Sequence, residues 1–492
     1  MRKFVFFLSV LPMLMTACYH PRIPKTYTDS DQLPSIRPDY VGVTIPVNIA
    51  PLSFCMSDSI DEVVARFQVG KEEIVCGGEK IQPNIDDWHR LASMAANKEV
   101  SIEVYARKAD NWIRYRPFNI FVSADSIDPY ISYRLVSPSY VVYKELTLNQ
   151  RCLENYEERI MVSNVLGGSG GKKQCVNCHS YQHYNPRRMQ FHARQANEGT
   201  VIAYDGRIWK VNMQRDSLLS GGVYPAWHPW LPLIAYSMNN TGQSFHTRHN
   251  NKIEVFDAAS GLILYDIEND KVNIVENDPA EFEVFPCWSP DGRALYFCSA
   301  HFEFNDTSNR EREVVLRAEE IRYNIYRKSF DPVNRVFGPR ELIFRADSLG
   351  RSATFPRVSP DGRYLMFTLG NYGVFHIWHH EADLYLMDLD NGSVWAMDNI
   401  NSPDTESYHA WSGNGRWVMF SSRRNDGNYT RLFFAHVDAD GKDSKPFELP
   451  QDNPAYHHYL LKSYNVPEFM RGPVEFTPQD FAKIQLVFNT SE

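Results

Sequence analysis

The chain has 492 residues, 43% of them hydrophobic, which is ample for a core and long enough for two or three domains. Its formal net charge is -9 and no basic run or stripe appears, so nucleic acid is not expected as a partner. Aromatic residues at 13%, with 26 Gly and 29 Pro, favour a mainly β architecture.

Residues 1–17 read as an export signal. Arg2 and Lys3 precede a short apolar run, Phe4 to Leu14, too short to span a bilayer. Met15-Thr16-Ala17-Cys18 resembles a bacterial lipobox. That resemblance implies cleavage before Cys18 and lipidation of its thiol, with two or three acyl chains anchoring the protein to a membrane. The expected location is the outer membrane of a Gram-negative bacterium, with the face it occupies left open. Residues 18–40 read as a proline-containing tether.

Residues 41–145 read as an N-terminal β-rich, sandwich-like domain. Val41, Val43, Ile45 and Val47 alternate, as do Val100 to Ala106 and Phe118 to Val122. One helix is expected over Asp86 to Asn97 and a second over Leu148 to Ile160. Gly167-Gly-Ser-Gly-Gly matches a nucleophile elbow only formally, because no strand and helix flank it; Ser169 is not expected to be catalytic, and no catalytic residue is assigned. Lys172 and Lys173 likewise do not complete a Walker loop.

Residues 146–195 read as a haem-attachment segment. Cys175-Val-Asn-Cys178-His179 is the C-x-x-C-H signature. Two thiols can add to the porphyrin vinyl groups, and the adjacent His can offer an axial nitrogen to iron. One covalent haem c is the expected cofactor, with Cys175 and Cys178 covalently bound and His179 axial. Zinc is an alternative for Cys175 and Cys178, although His183 and His192 lack the usual finger spacing, and so is a redox-active thiol pair. The sixth iron ligand is left between His192 and Met189; Met189 would raise the reduction potential relative to His. Arg187, Arg188 and Arg194 are candidate partners for the haem propionates. Of the remaining cysteines, Cys55 and Cys76 are a candidate disulfide, Cys287 and Cys298 read as buried thiols, and Cys152 is unassigned.

Residues 196–492 carry an internal repeat: Tyr224-Pro-Ala-Trp-His-Pro, Phe285-Pro-Cys-Trp-Ser-Pro-Asp-Gly-Arg, Phe355-Pro-Arg-Val-Ser-Pro-Asp-Gly-Arg and Tyr408-His-Ala-Trp-Ser-Gly-Asn-Gly-Arg. Each copy is followed by a strand-like run, such as Leu233-Ile-Ala-Tyr or Trp417-Val-Met-Phe. The Asp-Gly and Asn-Gly pairs signal tight hairpin turns. Repeated units of this kind indicate a β-propeller, with six blades fitting the length. The motif resembles the WD40-like repeats of TolB-type propellers. With the stretch from Arg151 through the Cys-x-x-Cys-His signature to Gly199, it resembles a group of exported bacterial propeller proteins carrying a cytochrome c haem motif.

That resemblance implies a propeller and a haem, and no defined reaction. The first expectation is electron transfer or redox sensing, with an unidentified protein or redox partner docked on the propeller. The alternatives are an interaction scaffold with a structural haem, and a peroxidase-like haem enzyme. Propellers host all three.

Overall fold

The structure is a computed structural model that describes residues 21–137, 145–168, 174–215, 218–246 and 251–486. Cys18 and Ser169 lie outside the described residues. None of the described helices is long and apolar enough to cross a membrane.

Six four-stranded antiparallel sheets follow one another along the chain and form a six-bladed β-propeller. Blade 1 is assembled from both ends of the propeller. Tyr130–Val136, Leu146–Cys152 and Glu158–Ser163 supply three strands, and Ser463–Met470 adds the innermost one. The ring is therefore closed by main-chain hydrogen bonds between its first and last segments. Blade 2 runs from Gln174–Tyr181 to Arg207–Val211, blade 3 from Val223–Trp227 to Lys271–Glu276, and blade 4 from Glu281–Trp288 to Val336–Phe344. Blade 5 runs from Ser352–Val358 to Val394–Ala396 and blade 6 from Glu406–Trp411 to Phe447–Glu448.

Two sequence expectations change here. The segment 146–195 is not a separate module between domains; it supplies strands of blades 1 and 2, and the propeller starts at Tyr130 rather than at 196. The expected helix over Leu148 to Ile160 is two strands. Leu146–Cys152 is buried along its whole length, between Tyr130–Val136 and Glu158–Ser163. Its polar residues, which would form the wet face of a helix, each find at least one internal partner, although Asn149 Oδ1 and Arg151 Nε find none among the described residues. Asn149 Nδ2 donates to Glu158 Oε1 (2.6 Å), and Arg151 Nη2 to the Pro450 carbonyl (2.8 Å). Gln150 Oε1 accepts from Val474 N (2.8 Å). Burial with partners outweighed local pattern.

The repeat motif explains how blades join. The Trp288 indole N–H of blade 4 donates to the Ala226 carbonyl on the inner strand of blade 3 (3.1 Å), and the Trp411 N–H of blade 6 to the Arg357 carbonyl of blade 5 (3.1 Å). Trp227 donates to Ser180 Oγ of blade 2 (3.1 Å). The Ser-Pro-Asp-Gly-Arg turn that follows is longer than a two-residue hairpin, since Trp288 pairs with Leu295 and Val358 with Leu365. The serine hydroxyl closes it by accepting from Ala294 N (2.9 Å), and Asp291 Oδ1 accepts from Arg293 N (3.0 Å). Trp288→Phe keeps most of the ring but loses the inter-blade bond. A loss of about 1 kcal/mol in unfolding free energy is expected, read from the denaturant midpoint at unchanged slope.

The N-terminal domain is one mixed seven-stranded sheet backed by a helix, rather than a sandwich of two large sheets. Lys98–Lys108 lies at its centre, paired with Glu62–Val69, Asn111–Arg114 and Phe118–Ser123. The helix, Ile85–Met94, is capped by the Asn84 side chain, which accepts from Asp86 N and Asp87 N. It buries Trp88, whose N–H donates to the Ile49 carbonyl (2.9 Å). The domain's core is continuous with the inner faces of blades 1 and 6, through Tyr133, Trp417, Phe434 and Tyr464. Cys55 and Cys76 are free thiols, so the candidate disulfide is not formed; Cys287 and Cys298 are buried free thiols.

Candidate functional site: the propeller axis

Each of the six inner strands carries one non-glycine residue with positive φ: Cys178, Tyr224, Phe285, Phe355, Tyr408 and Val466 (φ 48 to 55). At each of these the pairing with the neighbouring strand changes register. These are bulges, which re-aim side chains. Cys178-His179 thus occupies the place of Tyr224-Pro225, Phe285-Pro286 and Tyr408-His409, so the haem signature is itself a copy of the repeat. Its bulge is braced by Gln190, whose amide donates to the Cys178 carbonyl and to Ser180 Oγ (3.1 Å).

The bulge has a direct chemical consequence. In a regular strand, residues three apart point to opposite faces. The bulge between Asn177 and Ser180 cancels that offset, and Cys175, Cys178 and His179 all line one cavity on the propeller axis. Tyr224, Phe285, Phe355 and Tyr408 form a continuous arc of rings around the axis, with centroids 4.7, 3.9 and 4.7 Å apart. Cys178 and Val466 are the two small residues that break the arc, and blades 1 and 2 are neighbours. The cavity measures about 1150 Å³ with its open mouth included.

His179 is 1% exposed, and among the described residues neither ring nitrogen makes a hydrogen bond of good geometry, the Ser132 backbone being a weak partner. Burial, with Arg134 adding to it, pushes its pKa down to about 3, only partly offset by the Ser132 backbone. A buried neutral imidazole without well-formed hydrogen bonds is costly unless something pairs with it. Burial pushes the Cys178 thiol up, opposed by Arg194. Asn177 Nδ2 lies 3.7 Å from Cys175 Sγ. Three guanidinium groups, Arg134, Arg194 and Arg357, line the same cavity, against one carboxyl, Glu468. Burial pushes Glu468 up to about 7, with Arg357 opposing. Pro225, Pro286, Arg357 and Glu468 also line a second cavity, edged by Trp227, Trp288 and Tyr184.

The other predicted site residues are not brought together here. Arg194 lines the cavity, but Arg188 is engaged with Asp205 (2.6 to 3.1 Å) and Gln182 (3.0 Å), and Arg187 lies exposed in the preceding turn. Met189 is packed between blades with Leu148, Met161 and Phe191. The His192 Nδ1 faces Thr200 Oγ1 (3.1 Å). Neither Met189 nor His192 lines the axial cavity. Arg134, Arg357 and Glu468 were missed in the sequence because they come from distant segments that only ring closure unites. Among the described residues no group of three or more His, Cys, Asp or Glu is placed to hold a bare metal ion.

Several other histidines are also buried in the neutral form. Burial pushes His192, His376 and His409 down to about 3 and His228 to about 4. Lowered folded-state values mean that the unfolded chain binds protons first. Each such histidine therefore lowers stability as pH falls below about 6.5, by roughly 1.4 kcal/mol per pH unit. Asp257 and Glu283, which burial raises to about 6 and about 8, act oppositely down to the ordinary carboxylate range. Five such histidines, His179 included, outnumber the raised carboxylates Asp257, Glu283 and Glu468, so stability is expected to fall below about pH 6.5 and more steeply below about 4.5. Urea midpoints measured from about pH 7 to about 4 check this; a midpoint that stays level down to about pH 5, or rises below it, contradicts it.

Fold and site define the chain as a six-bladed β-propeller closed by its C-terminal strand, with a cysteine- and histidine-bearing cavity on its axis. No family model matches the sequence, and no curated protein matches it. Among solved structures it is similar to a prolyl endopeptidase (12% identity, 66% of this chain and 42% of that one, TM-score 0.32). It is also similar to a GH74 enzyme from Niastella koreensis (9%, 70% and 44%, TM-score 0.34). A third is the β-propeller domain of the Trilobed protease from Pyrococcus furiosus, which has an open velcro topology (12%, 73% and 92%, TM-score 0.32). The chain spans less than half the length of the first two. At such identities and TM-scores these likenesses carry no argument about function.

Proposed function

We propose that this chain is an exported, lipid-anchored propeller that carries one covalent haem c in its axial cavity and works in electron transfer or redox sensing. The observation that carries the reading is the His179 imidazole, buried with no well-formed hydrogen bond to either nitrogen among the described residues, on the same wall as two free thiols. The donor set fits the group. Cys175 and Cys178 would hold it through thioethers, His179 would offer a nitrogen ligand to the iron, and the cations Arg134 and Arg194 would balance its carboxylates. When bound, the haem supplies one-electron chemistry. The protein's own contribution is the aromatic wall, the neutral imidazole and the surrounding cations. Expression of the full chain with and without haem-c maturation, followed by haem staining of a denaturing gel, tests this. Stain that depends on maturation is expected; soluble, unstained protein from the maturing host overturns it.

A second reading rests on a different observation. Because Cys178-His179 is one of six equivalent bulges, the signature is also accounted for as a repeat element of a ligand-binding scaffold. In that case partner binding would be unchanged after both cysteines are replaced. Anchoring through Cys18 predicts fatty-acid labelling of the protein, abolished by Cys18→Ser.

A further inference from the structure

Blade 3 does not end where its neighbours do. Its two middle strands, Leu233–Phe245 and Ile253–Asp266, continue as a hairpin beyond the last pair made by the inner strand (Val223 with Ser237) and by the edge strand (Leu262 with Glu276). The ladder changes register between Asn240 and Thr241, so a bulge marks the root of the projecting part. Across that bulge, Asp257 accepts from Asn239 Nδ2 and Thr241 Oγ1, both at 2.7 Å. Gly242 stands opposite Phe256, whose ring occupies the space a Cβ would need, at 2.5 Å.

Thr241, Gln243 and Val255 of this hairpin line the axial cavity, as do Phe375 and Trp378 from a loop of blade 5. Ile253, Val255 and Phe256 share an apolar cluster with Val314 and Ile321 of the blade 4 insertion and with Trp378. Inside this apolar seam lies a charged contact. Glu254 Oε2 is 3.0 Å from His379 Nε2, and the two side chains are 3% and 0% exposed. Glu381 lies 3.6 Å from the other ring nitrogen, and the rings of Tyr372 and His376 complete the surroundings of His379. Gly373, with φ +74, leaves room for the Glu254 carboxylate, which lies 3.0 Å from where its Cβ would be. His380 N donates to Asn251 Oδ1 (3.2 Å), and Lys252 Nζ to Asn428 Oδ1 of blade 6 (3.1 Å).

A buried ion pair contributes little net stability compared with apolar residues of the same volume, yet losing one partner is strongly felt. That asymmetry suits a joint that must hold in one position and be able to release. We propose that residues 241–246 and 251–257 form a flap, hinged at the Asn240–Thr241 bulge, that covers the axial cavity on the side of blades 3 to 5 and is latched by Glu254 on His379. The proposal does not depend on haem, since it concerns access to the cavity whatever occupies it.

Hydrogen exchange of the full chain, read by mass spectrometry, tests it. In His379→Gln and in Glu254→Gln the amides of 241–246 and 251–257 should exchange faster by on the order of tenfold, with the inner strands of the blades unchanged. In protein made without haem attachment, Cys178 should also react faster with a maleimide, while buried Cys298 stays unreactive and reports an intact fold. Unchanged exchange in the flap, or equal acceleration in every blade, overturns the proposal. Should neither variant fold, the wild-type protein decides: flap amides protected as strongly as the inner strand of blade 4 count against a hinged element.

Discussion

Removing Ser463–Met470 is expected to abolish the cooperative unfolding transition altogether. This strand is the innermost of blade 1 and pairs with Tyr130–Val136 over most of its length. It buries Tyr464, Phe469 and Met470, and Tyr464 packs on Tyr133 with ring centroids 4.8 Å apart. The three side chains alone account for roughly 1.5–3 kcal/mol each. Their sum, with the lost ladder, approaches the whole stability of a typical domain, about 5–15 kcal/mol. The deletion also leaves Tyr130–Val136 as an unpaired edge at the axis, a template for aggregation. A thermal scan by circular dichroism checks this; a cooperative transition close to the parent's would mean that the ring closes without its last strand.

The second large effect concerns the attachment residues. Replacing both Cys175 and Cys178 should abolish covalently bound haem, while the fold survives. The reason lies in the ring of bulges: the place of Cys178 is taken in blade 1 by Val466, so Cys178→Val puts a residue that the same geometry already accepts in blade 1. The expected cost in stability is under about 1.5 kcal/mol. His179→Ala should differ in kind, keeping the thioethers and altering the absorption spectrum through loss of an axial nitrogen. Spectra and haem stain on the same samples separate the two outcomes. Identical behaviour of His179→Ala and the parent would remove His179 from the site.

The sequence made four blades legible because their inner strands repeat variants of an aromatic-Pro-x-Trp-Ser pattern, each departing from it at one position at most, whose tryptophans and serines have the tasks that Trp288 and Ser289 illustrate. Blade 2 was hidden because Cys178-His179 replaces the aromatic-Pro pair; Trp227 still donates to the equivalent residue, Ser180, through its hydroxyl rather than its carbonyl. Blade 1 was hidden because its strands come from both ends of the propeller, and no local pattern announces that closure. The strand over Leu146–Cys152 was misread because the partners of its buried polar side chains, among them Pro450 and Val474, are about three hundred residues away. The cavity was legible in its reactive residues and not in its walls. Spacing singled out Cys175, Cys178 and His179, while Arg134 and Glu468 reach it from strands at opposite ends of the propeller. Arg188 shows the converse, a nearby cation whose geometry ties it to Asp205 instead.

The measurement that bears most directly on the central claim is peptide mapping of the mature protein from a host competent in haem-c attachment. The peptide containing Cys175 and Cys178 is expected to carry one haem through both sulfurs, with Cys287 and Cys298 free. That peptide recovered with two unmodified thiols, from folded protein in a host that matures a control cytochrome, would contradict it.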